Sequence, residues 1–339
     1  MNRRKFIART SALAAGSYLL SSFENQELSE PILKPKGLIK GQTIGLTAPA
    51  GSIWNKYHIT KIQQILGDLG FLTKVGPTNY EQKGYLAGSD EMRAKEFMEM
   101  VEDDSIHGIL TMRGGWGCSR MLDLLDFDII AKHPKVIMGF SDITSLINAI
   151  YLKTGLFTFH GPCGYSSWDD FTTNEVIKAT VLGHPYEMKN PSDSEEVQKV
   201  WSSGKAQGRL VGGNLTVISS MIGTSYEPNW SKKILFLEEI KEEPYRVDRM
   251  LWQLKQAGVF KKINGLVLGS FRKCEPEEPE KSFTLEEVFE QHFSAVPFPV
   301  FQGASFGHIG PKFTLPIGVN AEINTAGFIL RTIEKSVIS

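Results

Sequence analysis

Ser141 stands where one apolar run, Lys135-Val136-Ile137-Met138-Gly139-Phe140, gives way to another, Asp142-Ile143-Thr144-Ser145-Leu146-Ile147-Asn148-Ala149-Ile150. The first run reads as a strand. The second has apolar residues at helical spacing, Ile143, Leu146, Ile147 and Ile150. A serine on a tight strand-to-helix turn is thrust out of the sheet edge, and the free amides of the helix N-terminus favour negative charge developing beside it. That is the mechanical logic of a nucleophile elbow, although the second glycine of the general Gly-x-Ser-x-Gly pattern is here Ile143. Serine at such a junction is also a common helix N-cap, and local sequence leaves both roles open.

A nucleophilic serine needs a base, and the base needs an acid to orient it. Seven histidines are present. His308 lies in the glycine-flanked loop Phe306-Gly307-His308-Ile309-Gly310-Pro311, and His160 at the end of Phe157-Thr158-Phe159-His160; either one is also readable as a structural residue. Ile234-Leu235-Phe236-Leu237-Glu238-Glu239 brings a carboxylate to the end of an apolar strand. Glu239 and Glu243 read equally well as surface charges before the helix that begins near Arg246. Arg113-Gly114-Gly115-Trp116-Gly117 follows another strand, and its bare amides can approach an oxyanion or a carboxylate closely. It is no P-loop, because no Gly-Lys-Ser/Thr follows, and no complete GxGxxG points to a dinucleotide. There is no HExxH and no clustered His/Cys spacing to hold zinc.

The elements that must position these groups alternate. Thr43–Ala48 reads as a strand and residues 59–69 as a helix ended by Gly70. Ser89 caps a helix bearing Met92, Phe97, Met100 and Val101. Ile106 to Met112 is a strand, Met121 to Ile130 a helix, and Val136 to Phe140 a strand. Strands alternating with helices imply a parallel sheet covered on both faces, with ligands at the strands' carboxyl ends. Residues 166–205 are polar and weakly periodic and read as a linker, with one helix around Thr173 to Leu182. Beyond it lie short strands, Lys233 to Leu237 and Ile263 to Gly269 the clearest, with a helix from Arg246 to Ala257. The domains are therefore 36–165, an N-terminal α/β unit carrying the serine, and 206–335, a β-rich unit carrying acid and base.

The chain has 339 residues, 41% hydrophobic and 22% charged, with a formal net charge of −1. That is a globular balance with no electrostatic case for nucleic acid or an anionic membrane. Cys118, Cys163 and Cys274, an odd number with no CxxC, read as buried or incidental thiols. Residues 1–25 differ from the rest: a basic head, Asn2-Arg3-Arg4-Lys5-Phe6-Ile7, precedes an apolar run over Ser11–Leu20. That run is shorter than the roughly 20 apolar residues of a membrane-spanning helix. It reads as an export signal of the twin-arginine type, which would place the mature protein in the periplasm or otherwise outside the cytoplasm. A basic tail on a cytoplasmic protein is the alternative.

Taken in order, Ala48-Pro49-Ala50-Gly51-Ser52, Arg113-Gly114-Gly115-Trp116-Gly117, Gly139-Phe140-Ser141-Asp142-Ile143-Thr144, Gly212-Gly213-Asn214-Leu215, Leu235-Phe236-Leu237-Glu238-Glu239, Pro244-Tyr245-Arg246-Val247-Asp248-Arg249-Met250-Leu251 and Phe306-Gly307-His308 resemble the bacterial LD-carboxypeptidases, serine peptidases related to the microcin-immunity peptidases. The resemblance runs from about residue 36 to 330. It implies a flavodoxin- or Rossmann-like parallel-sheet N-terminal domain, a smaller β-rich C-terminal domain, no metal or organic cofactor, and a homodimer. It implies Ser141 as nucleophile, His308 as general base and Glu238 as orienting acid, with the amides of Asp142 and Gly115 as the oxyanion hole. The expected reaction releases the terminal D-Ala of murein tetrapeptides by hydrolysis of an L–D amide bond. Arg113, Trp116 and Arg246 are candidates for holding the peptide substrate. Trp116 stands where the family more often has tyrosine, and the export-like N-terminus departs from cytoplasmic members. The alternatives are a microcin-immunity-type amidase with the same triad and an exported muropeptide-binding protein that does not cut.

Overall fold

A computed structural model of the chain describes residues 32–338; the export-like segment lies outside the described residues. Five strands, β1 (Thr43–Thr47), β2 (Leu72–Val75), β3 (Ile106–Thr111), β4 (Val136–Gly139) and β5 (Thr158–His160), pair in parallel in the order β5-β4-β3-β1-β2. Both faces of the sheet are covered, so the central strands are buried nearly end to end, which is why they read as continuous apolar runs.

The helices of this half are α1 (Tyr57–Asp68), α2 (Asp90–Glu102), α3 (Phe127–Lys132), α4 (Ile143–Thr154) and α5 (Asp170–Ile177). Helix α1 buries Ile59, Ile62 and Leu66 against the sheet. The Ser89 hydroxyl caps α2, accepting from the Met92 amide at 3.2 Å. The helix expected from Met121 to Ile130 is instead broken: a 3-10 turn spans Cys118–Leu124, and α3 starts only at Phe127. Asp126 is the reason, since its carboxylate accepts from the Ile129 amide at 3.0 Å and begins a new helix.

The segment 166–205 carries structure of its own. It holds α5, a π-helical turn over Lys178–Leu182, and the strands β6 (Glu187–Met188) and β7 (Lys199–Ser202). Both strands belong to a second sheet with β8 (Lys205–Asn214), β9 (Ile234–Ile240), β10 (Gly265–Arg272) and β11 (Val300–Gln302), then β13 (Asn320–Asn324) and β14 (Ile329–Thr332), in the order β6-β14-β13-β8-β9-β10-β11-β7. Its centre, β8 to β11, is parallel, and the connections run through α6 (Leu215–Met221), α7 (Pro244–Gln256) and α8 (Leu285–Phe293). One strand from this late part of the chain, β12 (Leu315–Ile317), crosses over and pairs antiparallel with β5.

Helix α4 lies where the halves meet and is buried on almost every side, as a helix apolar all round must be. Its Ile143, Leu146, Ile147 and Ile150 join one continuous core with Leu210, Val211 and Phe236 of the second sheet. Each such side chain contributes about 1.5–3 kcal/mol. A second cluster, including Leu46, Ile62, Leu66 and Val176, lies under α1 and α5.

Candidate active site

Ser141 is the second of two residues, after Phe140, between the end of β4 and Asp142, which precedes the first turn of α4. Asp142, not Ser141, holds the N-cap position, and neither side chain caps the helix, because the Asp142 carboxylate accepts the Cys118 amide instead. Ser141 instead adopts φ +64°, a left-handed conformation that costs a non-glycine residue about 1–2 kcal/mol. The chain turns sharply there because the Ser141 carbonyl already accepts the Thr144 amide at 2.9 Å. Space for the turn comes from Gly114, where a β-carbon would lie 2.8 Å from the Ser141 Cβ, 2.9 Å from its Oγ and 3.2 Å from the Asp142 amide nitrogen.

The Asp142 carboxyl is buried and accepts the Cys118 amide at 2.8 Å. Burial pushes it up to about 6. The loop behind it is clamped by Arg93, fully buried, whose guanidinium donates to the carbonyls of Pro49 and Gly117 and pairs with Asp90. The Ala48–Ser52 and Arg113–Gly117 loops are thus tied to one cation.

Glu238 does not end its strand; β9 continues to Ile240. The carboxylate is fully buried, and its Oε2 lies 2.6 Å from His308 Nδ1. Burial alone would raise the Glu238 carboxyl, but the adjoining His308, its hydrogen bond and the nearby His160 hold it below the usual range. With Nδ1 donating to Glu238, His308 carries its free lone pair on Nε2. The His308 ring lies 4.8 Å, centroid to centroid, from Phe140, the residue before Ser141. Lys312 closes the same loop: its Nζ donates to the Gly307 carbonyl at 2.9 Å and sits 4.2 Å from the Phe140 ring centre. Burial lowers that ammonium to about 8.

What joins the serine turn to the acid's strand is a set of polar contacts. The Asn214 amide donates to Thr144 Oγ1 at 3.1 Å, and Asn148 Nδ2 donates to the Gly212 carbonyl at 2.8 Å. Asn214 is the register partner of Glu238 in the neighbouring strand. Helix α4 and the end of β8 are therefore bolted together beside the carboxylate. Residue type alone gave no signal for Thr144, Asn148 or Lys312; only the Gly212-Gly213-Asn214 string hinted at this contact. Glu239, which read as a surface charge, is buried and accepts from Asn214 Nδ2, the Thr216 amide and Thr216 Oγ1.

The remaining sequence candidates fall as follows. Gly115 rests near Gly51, with Gly114 the residue of that loop that touches Ser141. Arg113 reaches back to the Ser52 carbonyl at 2.6 Å. Trp116 is 45% exposed beside these loops. Arg246 is engaged by Glu242 at 3.5 Å and by the Tyr245 hydroxyl at 3.1 Å. Among the described residues no group of three or more His, Cys, Asp or Glu is placed to hold a metal ion, and no helix is long and apolar enough to cross a membrane.

Two α/β layers joined through a buried helix, with a strained serine on one and a buried carboxylate–imidazole pair on the other, define a two-lobed hydrolase. Comparison with known proteins narrows the class. Residues 44–161 match the LD-carboxypeptidase N-terminal domain and residues 207–323 the LD-carboxypeptidase C-terminal domain. A probable murein peptide carboxypeptidase of Bacillus subtilis is 39% identical over 297 residues, covering 86% of this chain and 92% of that protein. Among solved structures, the muramoyltetrapeptide carboxypeptidase from Oxalobacter formigenes superposes with a TM-score of 0.75 at 30% identity, covering 86% of this chain and 97% of that one. The microcin C7 self-immunity protein in complex with glutamyl sulfamoyl guanosine gives 0.83 at 27% identity, covering 90% of this chain and all of that one. The chain belongs to the LD-carboxypeptidase family and is a peptidase.

Proposed function

We propose that this peptidase releases the terminal D-Ala from murein tetrapeptides by attack of Ser141 on the carbonyl of the L–D amide bond. His308 Nε2 takes the serine proton, then returns it to the departing amino group of D-Ala. Glu238 fixes the imidazole tautomer through Nδ1 and stabilises the imidazolium. The Asp142 amide at the start of α4 and an amide of the Gly114-Gly115 turn receive the oxyanion, each such donor worth on the order of 100- to 1000-fold in rate. Water, activated by the same imidazole, then frees the acyl-enzyme. Arg113 and Arg246 are the candidates in this reading for meeting substrate carboxylates, through N–H groups beyond those already given to the Ser52 carbonyl and to Glu242, and Trp116 is the candidate for lining the entrance.

The observation that carries the reading is the Glu238–His308 pair at 2.6 Å, its imidazole packed on the residue before a serine held at φ +64°. The test is mass-spectrometric release of D-Ala from a defined tetrapeptide by the protein and by Ser141→Ala. Turnover should vanish with the fold intact, and undiminished turnover in the variant would end the serine mechanism. The structural likeness to the microcin self-immunity protein favours a second substrate, an aminoacyl sulfamoyl nucleoside, cleaved by the same groups. Parallel assays on the two substrates decide between them. The reading also includes export of the full chain and a homodimer, tested by cell fractionation and by light scattering.

A further inference from the structure

His160, set aside once His308 takes the role of base, has no hydrogen-bond partner on either ring nitrogen, although it is 1% exposed. Three phenylalanines surround its ring, Phe236 at 5.2 Å, Phe140 at 6.0 Å and Phe306 at 6.3 Å between centroids, and none offers a conventional hydrogen-bond donor or acceptor. Two more buried polar atoms in the neighbourhood lack partners among the described residues: Oε1 of Glu238 and Oγ1 of Thr314. Thr314 precedes Leu315, which pairs with His160 across the β5–β12 ladder, and its hydroxyl lies 3.0 Å from where a β-carbon on Gly161 would be.

Orphaned buried polar atoms are rare, and each one left unmade costs the desolvation of its group. Here their capacities match. A neutral imidazole offers one donor and one acceptor, a threonine hydroxyl offers a donor, and the carboxylate oxygen requires a donor. We propose that His160 is a positioning residue for Glu238: one bridging water, or a small turn of its ring, lets it donate to Oε1 while its other nitrogen accepts from the Thr314 hydroxyl. The carboxylate is then held at both oxygens, Oε1 by His160 and Oε2 by His308. Anchored at one oxygen only, a carboxylate can swing about its last torsion and carry the imidazole with it. Burial drives the His160 imidazole down to about 4, so it is neutral at working pH, as the arrangement requires. The attraction of the Glu238 charge opposes that fall.

The inference rests on Glu238 acting as the orienting acid, so its test is built to separate the two. His160→Phe and His160→Gln are made in the natural protein and in Glu238→Gln, and kcat and KM are measured on the tetrapeptide. In the natural background His160→Phe should lower kcat roughly 10- to 100-fold, the worth of one hydrogen bond to a charged group, with KM within about twofold. His160→Gln, which keeps an N–H donor and an acceptor, should lose less. In the Glu238→Gln background the His160 substitutions should cost almost nothing further, because their effect passes through that carboxylate. Losses that multiply across the two backgrounds, or an unchanged kcat in His160→Phe, overturn the role of His160. Full activity of Glu238→Gln alone overturns the triad and this role with it. Thermal melts verify folding, and should His160→Phe not fold, the cycle is read from His160→Gln.

Discussion

The backbone of Gly307 touches Glu238: a β-carbon on that glycine would lie 2.7 Å from Oε2 and 2.8 Å from the glutamate Cβ. Gly307 also sits at φ +107°, where L side chains are strained. The residue before the base is therefore glycine for two reasons, space beside the carboxylate and the turn that presents His308. Gly307→Ala is expected to push Glu238 or the loop aside and break the 2.6 Å contact. Stability should fall by about 1–3 kcal/mol in urea denaturation, and kcat by at least about 100-fold. Turnover at the natural level would show that the pair does not need this approach.

Ser141 gives up stability for its position. Replacing it by glycine removes the hydroxyl and relieves the left-handed strain, while replacing it by alanine removes the hydroxyl and keeps the strain. Both variants should be inactive, but Ser141→Gly should be more stable than Ser141→Ala by about 1 kcal/mol, a few degrees in Tm. The larger unfolded-state entropy of glycine reduces that gap without reversing it. Equal melting temperatures for the two would mean that the φ of +64° is not retained in solution.

Much of this site could be read from residue order, and the reasons are local. Val136–Gly139 declares itself as a strand by apolarity, Ile143–Thr154 as a helix by spacing, and the serine between them is fixed by both. The glycines of the Arg113 loop announce a close approach, though Gly114, not Gly115, is the one that meets Ser141. What stayed hidden depends on distant pairing. Nothing near Glu239 says that its carboxylate turns inward to Asn214 and Thr216. Nothing near Lys312 says that its ammonium closes over Phe140. The short strand Leu315–Ile317 is invisible as a member of the first sheet, because its partner strand, Thr158–His160, lies so far back in the chain.

Glu239 supports the helix that follows Asn214. Its Oε2 receives the Thr216 amide at 2.7 Å and hydroxyl at 2.8 Å, and its Oε1 the Asn214 side chain at 2.9 Å and the Ile240 amide at 2.8 Å. Glu239→Ala leaves the buried Asn214 side-chain amide unpaired and removes the part-buried bonds from Thr216 and Ile240, and it is expected to cost about 1–3 kcal/mol. Because the Asn214 amide also holds Thr144, kcat should fall as well, although Glu239 touches no reacting group. A denaturant midpoint unchanged from the natural protein would place Glu239 back among the surface charges.

The stability of the fold should depend on pH through Asp142. Its carboxyl titrates near 6 in the folded protein, against 3.8 for an unperturbed aspartate, because burial penalises the charged form. Below pH 3.8 the group is neutral whether the chain is folded or not, and the folded state carries no penalty. Between 3.8 and 6 the unfolded chain ionises first, so the folded state loses ground steadily; above 6 both are ionised and the loss is complete. A rise of that size corresponds to about 3 kcal/mol. Asp142→Asn is neutral at every pH and lacks this slope, while its carbonyl can still accept the Cys118 amide. Any cost of placing the Asn amide is constant with pH, and the other titrating groups cancel in the comparison. The unfolding free energy of Asp142→Asn minus that of the natural protein should therefore rise by about 2–3 kcal/mol between about pH 4 and pH 7. Parallel curves over that range would mean that Asp142 is solvated well enough to ionise like a surface carboxylate, and that the turn bearing Ser141 is more open than its burial indicates.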